Sequence, residues 1–265
     1  MFLGYLGDGV FHLDLHWKIC AFFVIKCRFI IDKQYPIWHL LYMTDVRKEI
    51  GQEEFDSLAL GHALRSYARP RDKVSALLAR GVIVRVRKGL YVFGPDYARR
   101  PYSRELLANL VYGPSYVSLD SALAAHGLIP EGVDALTSVC LGPPKSYDTP
   151  VGRFIYRPAP AKGFCVGVTR VALADGRAYL MATPGKALAD KLRETRGLAI
   201  RTQSELRRYL TEDLRIDDSA LAVLDVDELE QVAEGYGSRK VRVLAALVRR
   251  LARRAKGPKG ERGYA

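Results

Sequence analysis

The sequence predicts an α+β chain, and three observations carry that expectation. Short β-branched runs alternate with stretches of helical apolar spacing, Gly-containing turn pairs link neighbouring strands, and helical patterning takes over after residue 196. The expected architecture is an N-terminal unit of helices and a hairpin, a mixed and mainly antiparallel α+β middle, and a helical C-terminal part. At 265 residues the length suits two domains and leaves room for a small third element. With 49% apolar and 26% charged residues, the composition is that of a soluble globular protein, not a disordered or collagen-like one. Four cysteines without a Cys-x-x-Cys pair exclude a disulfide scaffold or a zinc finger and make a reducing cytoplasm the expected compartment.

Residues 1–42 differ from the rest. They hold 10 of the 26 aromatic residues and both tryptophans. The run 19–31 is apolar at 11 of 13 positions, but Lys26 and Arg28 interrupt it. A bilayer span needs about 20 predominantly apolar residues, and no small-residue cleavage site follows. No membrane is therefore expected as a partner. Met43 opens an ordinary polar start, so residues 1–42 are expected to be a non-native upstream extension or a disordered leader. A membrane-associated leader and an N-terminal packing element are the alternatives. The other expected divisions are residues 43–100, 101–195, 196–255 and a basic disordered tail at 256–265.

From residue 50 to 67, Phe55, Leu58, Ala59, Ala63 and Leu64 recur at helical spacing, which predicts one helix over this stretch, interrupted at Gly61. Pro70 suits the first turn of a second helix. Val74, Leu77 and Leu78 form that helix's buried stripe, and Gly81 ends it. Residues 82–86 and 90–93 are strands joined by Lys88-Gly89. A helix, a turn, a second helix and a basic hairpin together predict a winged helix-turn-helix.

Charge supports that prediction. The formal net charge is +12, yet it is concentrated: residues 65–104 carry 11 basic and 2 acidic side chains, and residues 239–265 carry 10 and 1. Clustered positive charge is the footprint of nucleic-acid binding, because neutralised phosphates release condensed counterions. In a winged helix the second helix enters the major groove with its N-terminal side chains against base edges. Arg69, Arg71, Lys73 and Ser75 lie there, and an arginine fork can bond guanine O6 and N7 together. Arg85, Arg87 and Lys88 lie on the hairpin and its tip, placed for phosphate, which sets register more than sequence choice. Arg80 at the helix end complements the dipole, and Tyr91 is expected in the core.

In the middle, Ser103 is a candidate cap for a helix through residue 110, and Ser118 for one ended by Gly127. Residues 136–141, 152–156, 166–174 and 178–181 are expected strands, the last two flanking Asp175-Gly176. Thr183-Pro184 opens a helix to about residue 193. Three segments here, Gly-Pro-Ser-Tyr-Val-Ser-Leu-Asp-Ser-Ala-Leu (113–123), His-Gly-Leu-Ile-Pro-Glu (126–131) and Ala-Thr-Pro-Gly-Lys-Ala-Leu-Ala-Asp-Lys-Leu (182–192), resemble the AbiEi-type antitoxins, the transcriptional regulators of type IV toxin–antitoxin systems. Arg-Lys-Gly-Leu-Tyr-Val (87–92) is similar to the end of that family's winged helix, and the resemblance covers about residues 55–193. It implies an autorepressor that binds promoter inverted repeats in double-stranded DNA and counters a nucleotidyltransferase-like toxin, with direct contact between the two left open. Gly185 departs from the pattern, since the family more often has an acidic residue there.

A catalytic reading of the middle finds Asp120, His126, Asp148, Lys186 and Asp190 but no spacing that would hold Mg²⁺. Asp190-Lys191 is expected to be a surface pair, Asp120 and Ser121 to serve only the helix dipole, His126 to end its helix, Cys140 to be inert core, and Cys165 to lack an activating neighbour. No phosphate-binding glycine loop or nucleophile elbow is present. No enzyme activity and no cofactor are expected; a Mg-dependent nuclease-like enzyme that docks through a winged helix is the alternative. Residues 202–210, 225–235 and 239–255 are expected helices. The last carries Val241, Leu244, Ala245, Leu247, Val248 and Leu251 as one apolar stripe, with arginines on the remaining face. That helix is expected to pack and to attract phosphate nonspecifically.

Overall fold

The structure, a computed structural model, describes residues 46–130, 132–197 and 200–255. The expectations for residues 1–42 and 256–265 lie outside the described residues. Over the described residues the chain is mixed α+β, with two sheets and several helices.

The first part holds β1 (Glu54–Asp56), α1 (Ser57–Ala63), α2 (Pro70–Ala79), β2 (Ile83–Arg87) and β3 (Leu90–Phe93). The single helix expected over 50–67 is instead a strand followed by a short helix. Phe55 is extended opposite Tyr91, and Asp56 then accepts hydrogen bonds from the backbone N–H groups of Leu58 and Ala59, capping α1. An aspartate cap and an aromatic with a cross-strand partner outweigh a weak helical periodicity. Leu58, expected on the buried face, is 80% exposed as a result. The second helix runs as expected. Pro70 occupies its first turn, Leu77 is buried, and Gly81 follows the cap with φ +68°.

The three strands form an antiparallel sheet in the order β1-β3-β2. One face carries Phe55, Ile83, Tyr91 and Phe93 into a cluster with Leu60, Leu64 and Leu77 from the helices. Val86, Leu90 and Val92 belong instead to the large core of the rest of the molecule. Every residue of β3 is therefore buried, Tyr91 included, and the small sheet is a layer shared by two apolar clusters.

The second part continues with α3 (Arg104–Val111), β4 (Ser115–Val117), α4 (Leu119–Ala125), β5 (Leu136–Cys140), β6 (Lys145–Thr149), β7 (Gly152–Pro158), β8 (Val168–Ala172), β9 (Ala178–Ala182) and α5 (Pro184–Glu194). Its six-stranded sheet has the order β6-β7-β5-β4-β9-β8. β5 and β7 are parallel, as are β4 and β9, and the other three pairings are antiparallel. Strand β6 was not foreseen, because Lys-Ser-Tyr-Asp-Thr lacks an apolar alternation; as an edge strand it needs to bury little.

Ser103 and Thr183 cap their helices through their hydroxyls, as expected. Ser118 does not, because its Oγ donates 2.7 Å to the buried carboxylate of Asp190. The C-terminal part comprises α6 (Gln203–Arg208) with a Thr202/Glu205 capping box, a π-helical turn at Tyr209–Asp213, α7 (Asp218–Ala222), α8 (Val226–Tyr236) capped by Asp225, and α9 (Arg239–Ala255). All six apolar positions expected on α9 are buried. Among the described residues, no helix is long and apolar enough to cross a membrane.

Candidate nucleic-acid interface

Two elements carry the seven candidate residues. α2 starts at Pro70, so Arg69 is its N-cap residue and Arg71 and Lys73 fall in its first turn. Arg69 is highly exposed and its guanidinium reaches Asp72 only at 4.0 Å, an exposed pair of little energetic weight. Arg71 is exposed. Lys73, half-buried, places its ammonium 4.9 Å from the centre of the Tyr67 ring. Ser75 is exposed, but its hydroxyl donates 3.2 Å to the carbonyl of Arg71 one turn back.

The hairpin supplies the rest. Gly89, with φ +86°, permits the tight turn, and Lys88 beside it is exposed. The tip is blunt: the Gly89 carbonyl accepts from the N–H of Ser57 at 2.9 Å, so the turn lies against the start of α1 and does not project beyond it. An irregularity between Arg85 and Arg87 shifts the strand register. Both guanidinium groups are exposed yet lean on different neighbours, Arg85 on Tyr91 at 5.8 Å and Arg87 on Tyr147 of β6 at 5.6 Å. The structure thus keeps six of the seven side chains exposed in two groups, and it sends Arg87 toward the six-stranded sheet. Lys145 on the same edge strand lies 4.7 Å from the Tyr112 ring, and Arg153 on β7 is more than half exposed. The sequence offered no signal for these two, because β6 was unrecognised; in its pairing with β7, Lys145 lies opposite Tyr156 and Arg153 opposite Asp148, so the two project from opposite faces of the sheet.

The catalytic candidates of the middle part have other occupations. Lys186 is fully buried and its ammonium donates to the Gly163 carbonyl at 2.7 Å and to the Tyr236 hydroxyl at 2.5 Å, with Asp190 at 3.9 Å. Asp190 accepts from Tyr236 at 2.6 Å, Ser118 at 2.7 Å and Tyr116 at 3.1 Å. The surface pair expected of Asp190-Lys191 is therefore incorrect. Asp190 faces inward one turn from Lys186, where burial pushes its carboxyl upward and lowers the lysine against the opposing pull of the carboxylate. Lys191 pairs instead with Asp120 at 2.7 Å, and the Ser121 hydroxyl accepts from the Thr137 N–H at 2.8 Å, so neither Asp120 nor Ser121 serves the dipole alone. The reason is spacing, since 186 and 190 share a helical face whereas 191 is rotated off it.

His126 ends α4 as expected, and its Nε2 lies 2.8 Å from the Ala182 carbonyl. Asp148 pairs with Arg153 at the surface at 3.4 Å. Cys140 is buried, and burial raises its thiol; Cys165 is exposed. Among the described residues, no three His, Cys, Asp or Glu gather where they could hold a metal ion. Gly185 is buried against α8. A Cβ there would stand 3.2 Å from the Glu228 carboxylate, and Thr183 donates its hydroxyl to the same carboxylate. The helix N-terminus thus has an acidic neighbour, supplied from a distant segment and not from position 185.

No family model matches the chain, and no curated protein does. Among solved structures, the fold is similar to that of the RV2827C protein from Mycobacterium tuberculosis, at a TM-score of 0.51 and 15% identity over 82% of this chain and 78% of that one. At that identity the likeness is one of fold alone.

Proposed function

We propose that the chain is a DNA-binding transcriptional autorepressor acting in the cytoplasm, with residues 43–100 as a winged helix-turn-helix. The reading is carried by one observation: the order β1-α1-α2-β2-β3, closed by a β1-β3-β2 sheet, leaves Arg69 and Arg71 exposed at the start of the second helix and Arg85, Arg87 and Lys88 exposed on the hairpin. In this reading α2 meets base edges and the hairpin grips phosphate. The blunt tip limits the hairpin to phosphates close to α1, so discrimination rests mainly on Arg69 and Arg71.

The motifs at 113–123, 126–131 and 182–192 support the narrower proposal of a type IV antitoxin that binds promoter inverted repeats and counters a nucleotidyltransferase-like toxin. The test is titration of a labelled duplex from the region preceding the chain's own gene across a salt series. Binding is expected, with the logarithm of affinity falling linearly with that of salt; absence of binding at low salt overturns the repressor reading. Co-expression with an adjacent nucleotidyltransferase-like reading frame tests the antitoxin part, with restored growth as the expected outcome.

A further inference from the structure

Where the first part meets the six-stranded sheet, buried charges face one another. Glu54, on β1, is 3% exposed. Its carboxylate accepts from the backbone N–H of Ser103 at 2.5 Å and from both directions of approach of one Arg177 nitrogen, Nη1, which bonds Oε1 at 2.6 Å and Oε2 as well. Arg177 stands at the turn between β8 and β9. It is held there by Asp175, whose carboxylate receives its Nε at 2.8 Å, and it also donates to the Pro101 carbonyl at 3.3 Å. Beside it, Arg100 bridges Asp175 at 3.2 Å and lies 3.8 Å from Glu53, itself paired with Arg47. The hairpin turn of one sheet thus grips the first strand of the other, and residues 100–103 are caught between.

Apolar packing across the shared small sheet is non-directional and resists separation more than rotation. Charge-assisted bonds from a planar guanidinium are directional. We propose that Glu54 and Arg177 are positioning residues, which fix the orientation of α2 and the β2–β3 hairpin relative to the six-stranded sheet and so keep the cations of the first part and Lys145, on the Tyr147 face of that sheet, in one surface for a duplex. Arg87 over Tyr147 marks where the two parts of that surface join. This inference rests on the DNA-binding reading for its functional half, while its structural half stands without DNA.

The experiment pairs hydrogen exchange with binding on the full chain and Arg177→Ala. Exchange is followed over residues 94–106, which include the Ser103 amide that Glu54 accepts, and is expected to rise about tenfold. Affinity for a labelled mixed-sequence duplex about three helical turns long is expected to fall about three- to tenfold through lost preorganisation. Affinity is measured well below the melting temperature, where a loss of stability alone leaves the folded fraction unchanged, and exchange is compared with that of the β5–β7 pairing, which a global loss of stability would speed as well. Arg177→Lys, which keeps the charge, is expected to recover part of the affinity.

If Arg177→Ala does not fold, the pair Glu54→Gln with Arg177→Gln removes both buried charges and is read in the same way. Unchanged exchange overturns the clasp, and faster exchange with unchanged affinity overturns its positioning role. Should the unaltered protein fail to bind any duplex, the repressor reading fails, and the exchange measurement still decides the clasp.

Discussion

Helices α2 and α5 begin alike and end up opposite. Each has proline in its first position, and each carries a cation within its first turn, Arg71 in one and Lys186 in the other. Arg71 faces water, and Lys186 is sealed in with Asp190, Tyr236 and the Gly163 carbonyl around it. A buried cation whose hydrogen bonds are made inside has its desolvation cost offset by those partners and is closed off from a ligand. An exposed one contributes little to folding and keeps its full charge for a polyanion. Local sequence does not distinguish the two; what packs over the helix does.

The largest effect that would test this contrast lies in α5. Asp190→Ala strands the buried ammonium of Lys186, and breaking a buried pair from one side is expected to cost roughly 3–5 kcal/mol, read as a fall in denaturant midpoint. An unchanged midpoint would mean that Asp190 does not hold the buried ammonium of Lys186 in the fold. In α2, Arg71→Ala is expected to leave stability unchanged, to weaken duplex binding by about 1–3 kcal/mol and to flatten discrimination between sequences. Loss of stability in place of loss of selectivity would erase the difference between the helices.

Lys88→Ala sharpens the division within the exposed group. It should weaken all sequences alike and lower the salt slope by about 1, a signature of phosphate contact that anisotropy titrations at several salt concentrations resolve. A smaller effect is expected at the clasp in acid. The hydrogen bond from Arg177 holds the Asp175 carboxyl down at about 2. A carboxyl held below its unfolded value stabilises the fold above that value and loses the contribution as pH falls through the folded one. Stability should therefore decline from about pH 4 toward pH 2 less steeply in Asp175→Asn than in the unaltered chain. Parallel acid denaturation curves would remove Asp175 from the network.

Much of the fold was legible because it follows from short-range rules. Pro70, Gly81, Thr183 and Ser103 mark helix ends through backbone chemistry, and the stripe on α9 was complete because one amphipathic face has one way to be buried. The failures have a common source. At Phe55, a strand partner 36 residues away outbid helical spacing. At Ser118 and Asp190, a buried carboxylate drew in the hydroxyl that would otherwise cap a helix. At β6, an edge strand needs no apolar pattern. At Glu54 and Arg177, two residues 123 positions apart become partners only when the sheets are in place.

Composition and spacing were enough to establish an α+β chain, the second helix and basic hairpin of its first part, and the two blocks of positive charge, because propensity, capping and charge are properties of neighbouring residues. Which charges stay free for a partner and which are consumed inside was settled by packing, since burial and pairing depend on segments far apart in the chain.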